Sequence, residues 1–435
     1  MNERGEPLPA GAQPSTVGPS DDPPCAIARP IGFLLPGDPA TPTGGYRYDA
    51  RVIDGLRSRG HAVRRECLSA QFPSPDDDAL ADADRRLASF DDGSAVIVDG
   101  LALGAMPAVA ERQARRLRLV ALVHHPLALE TGLTAQRTAQ LLDSERRALA
   151  CARAVIVTSR TTAGSLRELG LLPAAGAPPV CIAEPGVDEM PIAERGTRAG
   201  SLPQRTTDAI AAAQRGAAAA SDATASSEAA AGSTIATRRA FAEAGTISRR
   251  PLALLYVAAL TPRKGHLLLL DALERVLVAG HTHWHLTCAG ALDRDPVTVQ
   301  QMRDRLAGPP LRDRVTLAGA VDEHRLAALY READVYLNPS LWEGYGMAAA
   351  QAVACGLPIV TTAAGALAES VPAEAALRVA TGDVASLADA IGRLLGDRAL
   401  RSLLAASARA AAAQLPRWPA TIASIDALLR SLPAR

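Results

Sequence analysis

ADVYLNPSLWEGYGMAAAQAVACGLPIVTT, residues 333–362, reads as strand, glycine-bearing loop, helix, turn and strand. Val335, Tyr336 and Leu337 form a short apolar run, and Pro339, which has no N–H to give a central ladder, stops it. Gly344 and Gly346 loosen the backbone beside Glu343. Residues 347–355 are mostly Ala, Gln, Met and Val, and Gly356 offers a left-handed stop. Leu357 resumes a buried strand. This order places Glu343 at the carboxyl end of a strand, where open α/β sheets bind ligands. It also aims the free N–H groups of the next helix at the same space, which favours an anion such as a diphosphate. Glu343 and Gln351, with seven residues between them, can then face one bound molecule and hold sugar hydroxyls through directed hydrogen bonds.

The stretch resembles the family 4 retaining glycosyltransferases of the GT-B fold. Their signature is a Glu, seven residues and a second Glu, within a run like P-S-x-x-E-G-x-G. Pro339, Ser340, Glu343, Gly344 and Gly346 match, followed by Ala354-Cys355-Gly356-Leu357-Pro358. Gln351 departs, standing where the family has its second Glu. The resemblance implies that Glu343 contacts the donor sugar. It also implies that Gly344, Tyr345, Gly346 and Gln351 line the donor site, Gln351 at the ribose.

Composition bounds the rest. A chain of 435 residues suggests two or three domains, and 48% apolar residues suffice for sizeable cores. Formal net charge is zero, so no nucleic-acid footprint shows. Cys25, Cys67, Cys151, Cys181, Cys288 and Cys355 form no C-x-x-C pair and read as reduced, mostly buried thiols of a cytoplasmic protein. The start of the chain lacks an apolar leader, and no apolar run approaches the ~20 residues a membrane span needs.

Residues 1–28 are rich in Pro, Gly, Ser and Asp and read as a disordered tail. Order is expected from a strand at 30–35, then a loop ending Thr43-Gly44-Gly45-Tyr46 and a helix over 46–58 with Val52, Ile53 and Leu56 inward. This opening again resembles GT-B glycosyltransferases, in which the Gly pair, here Gly44 and Gly45, lets backbone approach the donor. Further strands are expected at 94–99 and 119–123, with a helix over 105–117 between them. The 119–123 strand ends in His124-His125-Pro126. A metal at these histidines needs a third ligand, and none stands at suitable spacing, so no metal is expected. The resemblance carries a donor-sugar role to His124, with His125 the other choice, and Glu130 is near enough in sequence to orient one ring. Asp82-Ala83-Asp84 falls in an expected helix and reads as a solvated face.

Residues 189–250 are dominated by Ala, Ser, Thr, Gly and Arg and read as a low-complexity linker or insertion. A second domain opens with a strand in LALLYVAAL from 252. Arg263 and Lys264 then precede a helix, an arrangement that clamps a diphosphate by charge and free N–H groups. In the resembled family a K-G follows a G-R; Lys264-Gly265 match, whereas Ala258-Ala259 replace the G-R and leave that charge to Arg263. Asp383 is expected to cap a helix, Pro416, Trp418 and Pro419 to break the helical run, and a final helix over 421–432 to cross back onto the first domain.

The expected architecture is therefore GT-B. It comprises a tail (1–28), a Rossmann-like acceptor-side domain (29–188), an insertion (189–250), a Rossmann-like nucleotide-sugar domain (251–413) and a crossover helix (414–435), with the site in the cleft between domains. The expected activity is metal-independent, cofactor-free transfer of a sugar from a nucleotide-sugar donor to a sugar, lipid-linked or small-molecule acceptor, with retention, in bacterial-type glycan biosynthesis. Rival readings are a nucleotide-sugar epimerase of the same fold and a degenerate, non-catalytic sugar-nucleotide-binding protein. Arg112, Arg115, Arg116 and Arg118 offer a peripheral contact with anionic lipid at the inner membrane face, against a solvated face as the plainer reading.

Overall fold

The computed structural model describes residues 30–41, 43–173, 176–190 and 250–433. The expected tail and nearly all of the expected insertion lie outside the described residues. Six strands make the first sheet: β1 (Ile31–Pro36), β2 (Val63–Leu68), β3 (Ala95–Asp99), β4 (Arg118–Val123), β5 (Ala154–Val157) and β6 (Val180–Ile182), in the order β2-β1-β3-β4-β5-β6. Six more make the second: β7 (Leu252–Val257), β8 (Trp284–Ala289), β9 (Val315–Gly319), β10 (Val335–Asn338), β11 (Ile359–Thr362) and β12 (Ala376–Val379), in the order β12-β11-β10-β7-β8-β9. All pairings are parallel. Helices cover both faces, so the inner strands are apolar on each side; β4 and β10, for instance, are buried almost throughout.

Strand order reverses between β1 and β3 in one sheet and between β7 and β10 in the other. Crossovers diverge at such a point and leave a crevice at the carboxyl ends of the strands. Gly44 and Gly45 follow β1, Lys264 follows β7, and Glu343 follows β10.

The last helix, Trp418–Ser431, returns to the first domain. Ile422, Ile425 and Leu429 pack with Val52, Ile53 and Leu56 of the helix Gly44–Ser58. Gly55 allows this approach, because a Cβ there would lie 2.4 Å from Ile422 Cγ1. Asp426 fastens the contact through His61 at 2.7 Å and Arg59 at 3.2 Å.

Several local expectations are corrected. Trp418 and Pro419 open the final helix instead of breaking one, since Pro suits a first turn whose N–H is unpaired anyway. The expected helix over 105–117 is the shorter Pro107–Gln113, which Pro107 opens as a first turn, and an unexpected short helix, Gly100–Leu103, precedes it. Among the cysteines in the described residues, Cys288 and Cys355 are buried, whereas Cys67, Cys151 and Cys181 are half-buried. Of the four arginines weighed for lipid contact, Arg112 is held by Asp84, Arg116 by Asp92 and the Phe90 carbonyl, and Arg118 by the Gly93 carbonyl, while Arg115 is exposed. Asp82 likewise pairs with Arg86 at 2.6 Å. Among the described residues no helix is long and apolar enough to cross a membrane.

Ile425 is fully buried in the crossover contact. Ile425→Ala should cost about 3 kcal/mol in urea unfolding, from lost burial plus the cavity left behind. An unchanged midpoint would mean that the last helix does not dock.

Candidate active site

The second domain's contribution is built on two loops that grip each other. Gly265 adopts φ +67°, and a Cβ there would lie 2.4 Å from the Pro339 carbonyl oxygen, so only glycine lets the post-β7 turn meet the post-β10 turn. Tyr256 adds a tie, donating to the Lys264 carbonyl at 2.6 Å with Ser340 Oγ 3.2 Å away. Within this frame Lys264 Nζ donates to both Glu343 oxygens at 2.7 Å, and Ser340 donates to Oε1 at 2.7 Å. Burial alone would raise the Glu343 carboxyl, but Lys264, Arg263 and Ser340 bring it below its ordinary value. Burial pulls the Lys264 ammonium below the usual lysine range even as Glu343 holds it. Arg263 stands beside them: Nη1 donates to the Trp342 carbonyl at 2.9 Å and lies 4.0 Å from Glu343 Oε2.

His124 and His125 leave β4 side by side into different surroundings. His125 is mostly buried against the Trp342 ring, centroids 5.1 Å apart, with Glu130 3.6 Å away. Burial, reinforced by Arg263 and Lys264, pushes its imidazole well below the ordinary value, so it is neutral. His124 Nε2 lies 3.1 Å from Asp49 Oδ1 and 3.5 Å from Asp99 Oδ2. Burial works against a charge there, but Asp49 and Asp99 raise it to about 9. The third group that linear spacing could not supply is thus brought in by the fold, and the three ligand atoms lie within 4.8 Å of one another. The 3.1 Å Nε2–Oδ1 separation is that of a hydrogen-bonded pair.

The domains touch directly. A Cβ on Gly344 would fall 2.0 Å from the His124 carbonyl oxygen, while Thr162 donates to the Gly344 carbonyl at 3.2 Å. Glu369 accepts from the N–H groups of Arg160 and Thr161 at 2.9 and 2.6 Å, and from the Thr161 hydroxyl, so the second domain caps a first-domain helix.

Gln351 does not lie open to a ligand. Its Oε1 accepts from the Asp188 N–H at 3.0 Å and its Nε2 donates to the Asp188 carbonyl at 3.1 Å. The Asp188 carboxylate in turn takes Arg47 at 2.5 Å, Arg51 at 2.9 Å and Trp418 Nε1 at 3.0 Å. An amide can both accept and donate; a carboxylate in that place cannot. Tyr345 is buried, with its hydroxyl turned away from solvent. Gly44 and Gly45 form the first turn of their helix under the cleft, with Met347 Sδ 3.8 Å and His124 3.7 Å from the respective Cβ positions. Sequence reading missed Asp49, Asp99, Ser340's grip on Glu343, and the Glu369 cap. Asp49 had one visible signal, a carboxylate at a core-facing position of an amphipathic helix, in register with Val52, Ile53 and Leu56.

Comparisons with known proteins bear on this geometry. Residues 251–397 match the family described as Glycosyl transferases group 1. The chain is 35% identical over 164 residues to D-inositol 3-phosphate glycosyltransferase of Xylanimonas cellulosilytica, spanning 38% of each chain. It is 33% identical over 102 residues to the lipopolysaccharide core biosynthesis mannosyltransferase LpsB of Rhizobium meliloti, covering 22% of this chain and 28% of that one. The chain thus spans well under half the length of these relatives. In structure it is similar to sucrose-phosphate synthase from Thermosynechococcus elongatus, with TM-score 0.67, 21% identity, and 93% and 99% of the two chains covered. It is also similar to Anabaena HepE in complex with UDP and glucose, with TM-score 0.63, 17% identity, and 93% and 100% covered. The fold is GT-B, as expected.

Two expectations test the site's construction. Gln351→Glu should set a carboxylate against the Asp188 carbonyl and lower the melting temperature, whereas an unchanged melt would mean the amide donates nothing there. Buried Glu145 accepts from the Leu127 N–H on Oε2 at 3.1 Å, just beyond His124-His125-Pro126, and burial raises its carboxyl from 4.5 to about 8. The unfolded chain ionises first, so stability falls as pH rises from about 4.5 and levels off above about 8. Glu145→Gln should therefore melt higher than the parent by a margin that grows across that window.

Proposed function

We propose that the protein is a glycosyltransferase that moves a sugar from a nucleotide-sugar donor to a hydroxyl-bearing acceptor, with retention at the anomeric carbon. The observation that carries this is the buried Lys264–Glu343–Ser340 cluster at the second sheet's switch point, in the domain that matches a glycosyltransferase family. Lys264, with Arg263 beside it, offsets the charge that builds on the departing diphosphate, the task a metal ion performs elsewhere. Glu343, ionised and held by Lys264 and Ser340, accepts hydrogen bonds from donor-sugar hydroxyls. His124 and the Gly44-Gly45 turn lie on the opposite wall, where the acceptor must reach the anomeric carbon. Glu343 is committed to those partners and is not free to attack that carbon, which favours attack by the acceptor on the leaving-group face. Contact between the domains excludes water and suppresses donor hydrolysis.

The relatives named above are transferases, which speaks for transfer over epimerisation. Cytoplasmic location and a role in glycan assembly belong to the same proposal.

The purified protein should be screened against nucleotide sugars by thermal shift, beginning with UDP-glucose, since a structure of HepE is described in complex with it. A stabilising donor should then be turned over with an acceptor panel. Lys264→Ala should lower turnover roughly 100-fold or more. Full turnover by this variant, or conversion of the donor to an epimer without acceptor, would overturn the reading.

A further inference from the structure

We propose that Asp49 is a positioning residue that holds the His124 imidazole as a charged hydrogen-bond donor fixed in the cleft wall. It rests on the transfer reading only for what that charge acts upon.

Asp49 is costly where it sits. Its helix buries Val52, Ile53 and Leu56 on the same face, and an apolar residue would serve the core better. Asp49 is 1% exposed, and its Oδ2 has no hydrogen-bond partner among the described residues. A buried carboxylate in that state is strongly unfavourable unless a positive charge is adjacent. His124 Nε2, 3.1 Å from Oδ1, supplies it. Asp99, at the end of β3, stands 3.5 Å from the same nitrogen and is itself fixed by the Leu101 N–H at 2.7 Å.

The ring is held on its flanks as well. Tyr48 meets it edge-on with centroids 5.3 Å apart, and a Cβ on Gly45 would touch its Nε2 edge at 3.7 Å. A quarter of the side chain stays exposed. The groups that set the charge are therefore Asp49 from the first helix and Asp99 from β3, with neutral His125 next in the chain and Tyr46 nearby on the helix. Burial and then Asp49 raise the Asp99 carboxyl, while Asp49 and Asp99 together raise the His124 imidazole against the cost of burial. Burial, then Arg263 and Lys264, push the His125 imidazole the other way, well below its ordinary value.

Held this way, His124 has no lone pair at Nε2 for a proton or a metal. It acts as a donor to oxygen of a bound substrate and not as the base that deprotonates the acceptor.

The test is a nitrogen-15 histidine titration of the full chain by NMR, with His124 assigned by His124→Gln. At pH 7.5, in the presence of chelator, wild-type His124 should show the imidazolium signature. In Asp49→Asn, which keeps the shape, the midpoint should fall by about one unit or more. If a donor is turned over, the pH profile of kcat should shift by the same amount on its alkaline side. A neutral His124 in the wild type overturns the proposal even if the variant fails to fold. So does an unshifted midpoint in a folded variant, or a His124 resonance displaced by micromolar Mg2+, Mn2+ or Zn2+, which would put a metal where the proton is placed. None of the NMR outcomes requires transfer activity, so failure of the transfer reading leaves this test standing.

Discussion

A lysine and a carboxylate buried together at the floor of the cleft set the terms for the loops around them. Lys264 and Glu343 each keep under a fifth of the side chain exposed, and removing either leaves a buried charge uncompensated, at a cost of about 3–5 kcal/mol. The pair therefore demands that the turns after β7 and β10 stay in register. Gly265 against Pro339, Tyr256 on the Lys264 carbonyl and Ser340 on Glu343 meet that demand. The positions of these two charges are thus set by the fold itself.

The cleft is electrostatically divided. Arg263 and Lys264 make the second-domain wall cationic, and burial, reinforced by these two charges, disfavours a proton on His125. Across from them Asp49 and Asp99 surround His124 and hold its charge. Two adjacent residues of one type thus carry different states, set by which wall each faces. The walls are joined through backbone: the Gly344 segment rests on the His124 carbonyl, and the Gln351 amide brackets Asp188 where the chain leaves the first domain. Gln351 serves the junction between domains, which explains its amide better than contact with a ribose does.

Much of this was legible in the chain itself. Apolar runs closed by Pro339 or Gly356, and polar residues placed just after strands, pointed to two parallel-sheet domains and put Glu343, Lys264, Arg263, His124 and His125 beyond the carboxyl ends of strands. Those signals are local, because strand burial, helix capping and turn chemistry act over a few residues. Asp49 and Asp99 were not legible as partners of His124, being 75 and 25 positions away from it; only the packing of the helix Gly44–Ser58 over β1, β3 and β4 joins them. The same holds for Gln351 on Asp188 and Glu369 on the helix at Arg160. Which residues reach the cleft follows from periodicity and turns, while protonation states and domain contacts depend on distance and burial, and those exist only once the two sheets are folded and set against each other.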